Sequence, residues 1–212
     1  TLMMIVKICG IQNEDTLLCC EKNNVNFFGM IFYPKSPRNI TIENASFLQK
    51  KSKGLNINGV GVFVNKKIYE IEEIIQSINL KFIQLHGAED ETYIKNLKKY
   101  EIKIIKTISI SNNKDLEKIH NYKNADYFLF DYKPIRGELP GGNSKSFDWN
   151  ILKNLETDKP WFLSGGININ NIKQILKEIK PFGIDLSSGV EKELGNKDNH
   201  IINNFIEKLN DA

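Results

Sequence analysis

Two side chains near the start of the chain have the types and spacing of a thiol held beside a cation. Lys7 and Cys9 stand two residues apart in Ile5–Cys9, an apolar run that predicts a β-strand. Alternate residues of a strand face the same side, so both side chains are predicted to share one face. A neighbouring ammonium lowers a thiol pKa from about 8.5, which would make Cys9 a nucleophile or a base. An inert buried cysteine is the alternative.

A carboxylate stands at the end of another apolar run. Asp131 directly follows Tyr127-Phe128-Leu129-Phe130. Apolar surroundings raise a carboxyl pKa from about 3.9, and a raised pKa is what a general acid requires. The alternative for Asp131 is a structural ion pair with a nearby lysine.

Two runs of small residues predict an anion site. Ser164-Gly165-Gly166 and Ser187-Ser188-Gly189 each follow a predicted strand. Such residues let backbone N–H groups converge on an anion, and the hydroxyl groups add further donors. Tight turns are the alternative, but the occurrence of two such runs at strand ends favours a phosphate site.

Three more polar side chains lie at or after the ends of predicted strands. Arg38 can hold a carboxylate in a two-pronged hydrogen bond, or lie solvated in a loop. Gln84 and His86 stand at the end of the fourth strand, and His86 could be a base, a metal ligand or a satisfied polar residue. No second histidine or acidic cluster has metal-ligand spacing, so the sequence predicts neither a metal nor a cofactor.

Eight strand–helix units must position these residues. Strands are predicted at Ile5–Cys9, Asn26–Tyr33, Val60–Val64, Phe82–Leu85, Ile102–Ile108, Tyr127–Asp131, Trp161–Ser164 and Gly183–Ser187. Helices are predicted at Asn13–Glu21, from near Thr41, and at Ile68–Ser77, Glu89–Lys98, Lys114–Asn121, Trp149–Leu155, Asn170–Ile179 and Ile201–Leu209.

This alternation predicts an α/β fold, a single-domain (β/α)8 TIM barrel that spans residues 1–212. A doubly wound open sheet would need a glycine-rich phosphate turn after the first strand, and Cys9-Gly10-Ile11-Gln12 is not one. The long, glycine- and proline-rich connection 132–146 is predicted to be a lid over the mouth of the barrel, where active sites of this fold lie.

Composition excludes several other classes. The 212 residues are 41% hydrophobic and 26% charged, which is typical of a globular domain. The net charge of +3 is too small to indicate nucleic-acid binding. Three cysteines, two of them adjacent, give no disulfide framework. No apolar run reaches the roughly 18 residues of a membrane span, and no signal peptide is recognised. A cytoplasmic protein is therefore predicted.

The chain resembles the phosphoribosylanthranilate isomerase family over nearly its whole length. The resemblance rests on motifs in this order: Lys7-Ile8-Cys9-Gly10, Phe32-Tyr33-Pro34-Lys35-Ser36-Pro37-Arg38, Gly61-Val62-Phe63-Val64-Asn65, Gln84-Leu85-His86-Gly87, Leu129-Phe130-Asp131, Gly141-Gly142, Phe147-Asp148-Trp149, Leu163-Ser164-Gly165-Gly166 and Asp185-Leu186-Ser187-Ser188-Gly189-Val190-Glu191.

The resemblance implies an Amadori rearrangement of N-(5′-phosphoribosyl)anthranilate in tryptophan biosynthesis. It implies that Asp131 is the general acid that opens the ribose ring and that Cys9 is the base that removes the C2 proton. It also implies that Arg38 holds the anthranilate carboxylate and that the two runs of small residues hold the phosphate. Gln84 and His86 are expected among the substrate-binding residues. The expected partner is a phosphorylated aminosugar, and the expected state is a monomer, with a dimer possible.

Two departures from the family pattern and two rival functions accompany this interpretation. Asp131 is followed by Tyr132, where smaller residues are common in the family. The glycine motif of the lid usually reads Gly-Gly-x-Gly, whereas Ser144 occupies its last position here. We therefore expect a backbone at Ser144 without positive φ. The rivals are a barrel lyase of the same pathway and an inactive phosphate-binding barrel; the presence of both Cys9 and Asp131 argues against the latter.

Overall fold

The computed structural model describes residues 4–211, which form a closed barrel of eight parallel strands. This confirms the predicted fold class. The strands are β1 (Ile5–Cys9), β2 (Phe27–Ile31), β3 (Asn58–Phe63), β4 (Phe82–Leu85), β5 (Lys103–Ile110), β6 (Tyr127–Tyr132), β7 (Trp161–Leu163) and β8 (Gly183–Leu186). Each strand pairs with the next, and β8 closes the barrel by pairing with β1.

The α-helices lie between the strands of the barrel and at the end of the chain. They are α1 (Glu14–Lys22), α2 (Ile42–Lys51), α3 (Ile68–Ile78), α4 (Glu91–Leu97), α5 (Ile172–Glu178) and α6 (Asn199–Asn210). Side chains of Asn13, Asp90 and Asp198 accept hydrogen bonds from N–H groups of the first turns, which fixes where α1, α4 and α6 begin. None of the helices within residues 4–211 combines the length and apolarity needed to cross a membrane.

Two predicted α-helices are 3-10 helices instead, at Asn113–Asn121 and Trp149–Leu152. Asn112 accepts a hydrogen bond from the N–H of Lys114, and Asp148 accepts one from the N–H of Asn150. These contacts tighten the first turn, because a short polar side chain competes there with the α-helical pattern.

A short hairpin at the mouth of the barrel was not predicted. It consists of β9 (Glu191–Glu193) and β10 (Asn196–Lys197), which pair antiparallel before α6. Its residues are charged or polar, so the sequence gives no apolar alternation that would indicate a strand.

The barrel interior is apolar at its floor and polar at its mouth. Five side chains from different strands form the floor: Phe27, Val60, Ile105, Leu129 and Phe162. Ile5 and Phe82 pack against this floor. Because alternate residues of a strand face the same side, the interior positions further along are Lys7 and Cys9 on β1, Gln84 and His86 after Phe82, Thr107 on β5, Asp131 on β6, Ser164 after β7 and Asp185 on β8. The alternation along the strands therefore places the polar and ionisable interior side chains at one end of the barrel.

A buried ion pair anchors the loop after β4. The Nζ atom of Lys106 lies 3.0 Å from a carboxylate oxygen of Glu89, and it donates to the carbonyl of Gly87 at 2.7 Å. Glu89 also accepts hydrogen bonds from the backbone N–H groups of Asn65 and Gly87. The loop that follows His86 is thereby tied to β5.

Replacing Lys106 with methionine should lower the free energy of unfolding by about 3 kcal/mol, because it leaves a buried carboxylate without its cation. Urea unfolding followed by circular dichroism measures this loss. Lys66→Met is the matched control, since Lys66 lies 3.7 Å from Glu70 in a pair that is partly exposed to solvent, and its loss should cost less than about 1 kcal/mol. Equal losses in the two variants would contradict the anchoring role.

Candidate active site

Two adjoining cavities occupy the carboxyl ends of the strands. The first is lined by the two small-residue runs and by part of the lid, and the second extends to Cys9, Arg38 and His86. Both are lined by Asp131, Gly141, Gly142, Ser164, Asp185 and Ser187. The structure therefore brings together the predicted site residues except Gln84, which lines neither cavity.

The Cys9 thiol fits into the barrel because its neighbour on β2 has no side chain. Gly29 stands opposite Cys9 in the pairing of β1 and β2. A Cβ atom at Gly29 would lie 2.8 Å from the Cys9 sulfur, which is closer than such atoms pack. Cys9 is 6% exposed and lines the second cavity.

A buried ion pair lies next to the thiol. The Lys7 Nζ atom lies 2.8 Å from Oδ1 of Asp185, and the two residues are direct neighbours in the pairing of β1 and β8. Burial disfavours the Lys7 ammonium, but the attraction of Asp185 and Cys9 outweighs that effect and raises the Lys7 pKa. Lys7 is therefore a fixed cation beside Cys9, as the spacing predicts.

Lys7 lowers the pKa of the Cys9 thiol as predicted, but the net shift of that pKa is upward. Burial raises the pKa of Cys9, and the opposing attraction of Lys7 is smaller. Asp185 raises the Cys9 pKa further, because its carboxylate repels a thiolate. The sequence shows Lys7 near Cys9. It does not show how deeply the thiol is buried, or that Lys7 also forms an ion pair with Asp185.

Asp131 lies where the two cavities meet, and both of its oxygens face donors. Oδ1 accepts a hydrogen bond from the N–H of Tyr132 at 2.8 Å. Oδ2 lies 3.3 Å from Nε2 of His86. The carboxyl group is buried but lines the cavities from the β6 side, while Cys9 lines the second cavity from β1. A carboxyl group and a thiol thus face one space.

Arg38 is held by the carboxylate of Glu191, a residue for which no role was predicted. Its Nε atom donates to Oε1 of Glu191 at 2.7 Å, and its Nη2 atom donates to Oε2 at 2.8 Å. Lys197 on β10 contacts the same carboxylate. Burial opposes ionisation of Glu191, yet the two cations lower its pKa to about 2. All three side chains are buried, so one anion is shared between two cations.

The lid covers the guanidinium of Arg38 and borders the first cavity. Nη2 of Arg38 donates to the carbonyl of Gly142 at 3.4 Å. Ser144 has φ 56°, so the expected negative φ at this position is wrong. A non-glycine residue adopts this conformation at a cost of about 1 kcal/mol. Ser144 therefore has the backbone conformation that a glycine would favour at this position of the motif.

The first cavity is lined mainly by small and polar residues. It is lined by Ser164, Gly165 and Gly166 from one loop, by Ser187, Ser188 and Gly189 from the next, and by Asn143, Ser144 and Lys145 from the lid. Gly165 and Gly166 have positive φ, and a Cβ atom at Gly166 would lie 3.0 Å from the backbone carbon of Lys145, so the lid packs directly against this loop. Within residues 4–211, no group of three His, Cys, Asp or Glu side chains is arranged to hold a metal ion.

Comparison with known proteins gives one consistent result. The sequence model of N-(5′-phosphoribosyl)anthranilate (PRA) isomerase matches residues 6–208. The N-(5′-phosphoribosyl)anthranilate isomerase of Brucella canis is 40% identical over 210 residues, which are 98% of this chain and 94% of the relative.

Solved structures agree. The phosphoribosyl anthranilate isomerase of Thermotoga maritima is 34% identical with a TM-score of 0.89, over 99% of this chain and 100% of that one. A phosphoribosyl anthranilate isomerase in complex with reduced 1-(o-carboxyphenylamino)-1-deoxyribulose 5-phosphate is 31% identical with a TM-score of 0.85, over the same shares of the two chains.

Proposed function

The chain belongs to the N-(5′-phosphoribosyl)anthranilate isomerase family of tryptophan biosynthesis, and from this premise we propose that Asp131 and Cys9 are the acid and the base of its reaction. The substrate is N-(5′-phosphoribosyl)anthranilate, and the product is 1-(2-carboxyphenylamino)-1-deoxyribulose 5-phosphate. The observation that carries the assignment is that Asp131 and Cys9 line one cavity from different strands.

In the first step Asp131 gives its proton to the ring oxygen of the ribose. The C1–O bond breaks, the nitrogen lone pair forms a C=N bond to C1, and a protonated Schiff base results. The step leaves Asp131 as a carboxylate. The N–H of Tyr132 and the nearby Nε2 of His86 support this charge, because hydrogen bonds to a carboxylate favour its ionised form.

In the second step the Cys9 thiolate takes the proton from C2. The electron pair of the C–H bond forms a C1=C2 double bond and neutralises the nitrogen, which gives an enolamine that tautomerises to the ketone. Burial raises the Cys9 pKa, so the thiolate is the less populated form at neutral pH. Lys7 lies beside the sulfur as a cation that stabilises the thiolate when it forms.

The substrate's two anionic ends have separate sites in this assignment. The small residues after β7 and β8 hold the phosphate, and Arg38 holds the anthranilate carboxylate. Arg38 and Lys197 carry two positive charges against one on Glu191. The remaining positive charge attracts a carboxylate, and Glu191 keeps the guanidinium from turning away from the cavity.

Arg38→Ala should raise KM by at least about 10-fold, the cost of one lost charge-assisted contact, with a smaller effect on kcat. The analogue without the carboxylate, 1-anilino-1-deoxyribulose 5-phosphate, should bind the variant and the wild type alike in calorimetry. Arg136→Ala is the matched control, because Arg136 is exposed. A loss confined to kcat would contradict the carboxylate role.

The experiment that tests the proposed chemistry is turnover of phosphoribosylanthranilate generated in situ, followed by the loss of its fluorescence. The wild type should turn over, while Cys9→Ala and Asp131→Asn should both bind the reduced product analogue without turnover. Turnover that survives both substitutions would move the acid and the base elsewhere. The monomeric state and the cytoplasmic location stay predictions.

A further inference from the structure

A chain of buried polar side chains leads from β5 to the proposed acid. Nε2 of Gln84 lies 2.8 Å from Nδ1 of His86 and donates to Oγ1 of Thr107 at 3.1 Å. On the other side of the imidazole ring, Nε2 of His86 lies 3.3 Å from Oδ2 of Asp131. Gln84 is fully buried and lines neither cavity, so it acts on the site only through His86.

The amide of Gln84 determines where the ring proton of His86 lies. The Nε2 atom of a glutamine can only donate hydrogen bonds, so Nδ1 of His86 must accept. A neutral imidazole carries one proton, and that proton then belongs to Nε2. A doubly protonated ring would set two donors against each other at the 2.8 Å contact. The second amide N–H donates to Oγ1 of Thr107, and the opposite amide orientation would place both N–H donors where Oε1 has no partner among residues 4–211.

We propose that Gln84 is a positioning residue that holds His86 in the Nε2–H tautomer, so that His86 donates to Oδ2 of Asp131. This donor and the N–H of Tyr132 fix the carboxyl group from both oxygens. They also stabilise the carboxylate that remains after proton transfer to the ring oxygen. The proposal rests on the assignment of Asp131 as the acid.

The cost of burying Gln84 supports a role beyond packing. Its Oε1 atom is buried and has no hydrogen-bond partner among residues 4–211. An unpaired buried acceptor costs about 1 to 3 kcal/mol. The preceding interior position on the same strand is Phe82, which packs against the apolar floor of the barrel. The two donors of Gln84 are what an apolar residue would lack.

The test uses protein with 15N-labelled histidine, because the chain contains three histidines and each ring gives a resolvable pair of nitrogen signals. In the wild type we expect the His86 signals of a protonated Nε2 and an unprotonated Nδ1. In Gln84→Met we expect the two tautomers to mix and kcat to fall about 10-fold, the cost of one hydrogen bond to a charged group. KM should change little.

Three further variants make the test decisive. Gln49→Met is the matched control: Gln49 on α2 also has a buried, unpartnered Oε1, and its loss should leave the His86 signals unchanged. Thr107→Val removes the acceptor of the second amide N–H, and it should shift the tautomer in the same direction as Gln84→Met. Thr107→Ser keeps the acceptor and should behave as the wild type.

The outcomes separate this proposal from the proposed function. A His86 ring protonated at Nδ1 in the wild type, or an unchanged tautomer in both Gln84→Met and Thr107→Val, would overturn the positioning role. A second outcome is that Asp131→Asn keeps its turnover while the His86 tautomer behaves as expected. In that case the assignment of Asp131 as the acid fails, and the catalytic effect proposed for Gln84 is overturned with it. The assignment of the His86 tautomer would stand.

Discussion

Alanine in place of Cys9 should reduce kcat by about 10³-fold, within the range that a positioned base contributes, and leave binding of the reduced product analogue unchanged. The sulfur is the atom proposed to take the C2 proton, whereas the proposed phosphate and carboxylate sites lie on other elements. Stopped-flow loss of substrate fluorescence gives the rate, and calorimetry with the analogue gives the affinity.

Cys19→Ala is the control that separates the loss of this thiol from the loss of any thiol. Cys19 is half-buried on α1, where its sulfur lies 3.4 Å from Oδ1 of Asn203, outside the cavities. Its replacement should leave kcat at the wild-type value. Turnover in Cys9→Ala close to that of Cys19→Ala would remove Cys9 from the mechanism.

The pH dependence of the same thiol gives an independent check. Because burial raises the Cys9 pKa, the thiolate fraction increases as the pH rises above neutrality. Alkylation of Cys9 by iodoacetamide should therefore become faster with rising pH, and the product analogue should protect the thiol. A rate that is independent of pH would mean that the thiolate is already fully formed at neutral pH.

The strand pattern carries most of the fold information. Runs such as Phe82–Leu85, which is apolar except for Gln84, match the observed strands because a parallel strand covered on both faces is mostly apolar. Segments governed by local polar contacts were harder to predict. At Asn113–Asn121 the caps tighten a helix into the 3-10 form, and β10 is a strand without apolar alternation.

The site residues also fall into those that the strand pattern predicts and those that it does not. Strand ends make Cys9 and Asp131 candidate site residues, because alternation and the barrel topology place them at the mouth. Glu191 and Lys197 were missed as site residues, although Glu191 closes a quoted motif. Their partner Arg38 is 153 positions from Glu191, and no sequence pattern links the two. The raised pKa of Cys9 depends on burial, which is a property of the assembled barrel.

Asparagine in place of Asp131 should also lower kcat by about 10³-fold, because an amide cannot give up a proton to the ring oxygen. The shape of the side chain is kept, so the reduced product analogue should bind with an affinity within about two-fold of the wild type, a difference below about 0.5 kcal/mol. The loss should come from ring opening alone. The Cys9 thiol should remain open to alkylation in this variant, which separates the loss of the acid from the loss of the base.

Asp148→Asn is the matched control for this substitution. Asp148 is exposed and caps the 3-10 helix at Trp149–Leu152, a role that asparagine fills equally well. Its kcat should therefore equal that of the wild type. The assignment fails if Asp131→Asn turns over at a comparable rate, since the proton for the ring oxygen would then come from another group. His86 is the next candidate, because its Nε2 atom lies 3.3 Å from the Asp131 carboxyl at the same cavity wall.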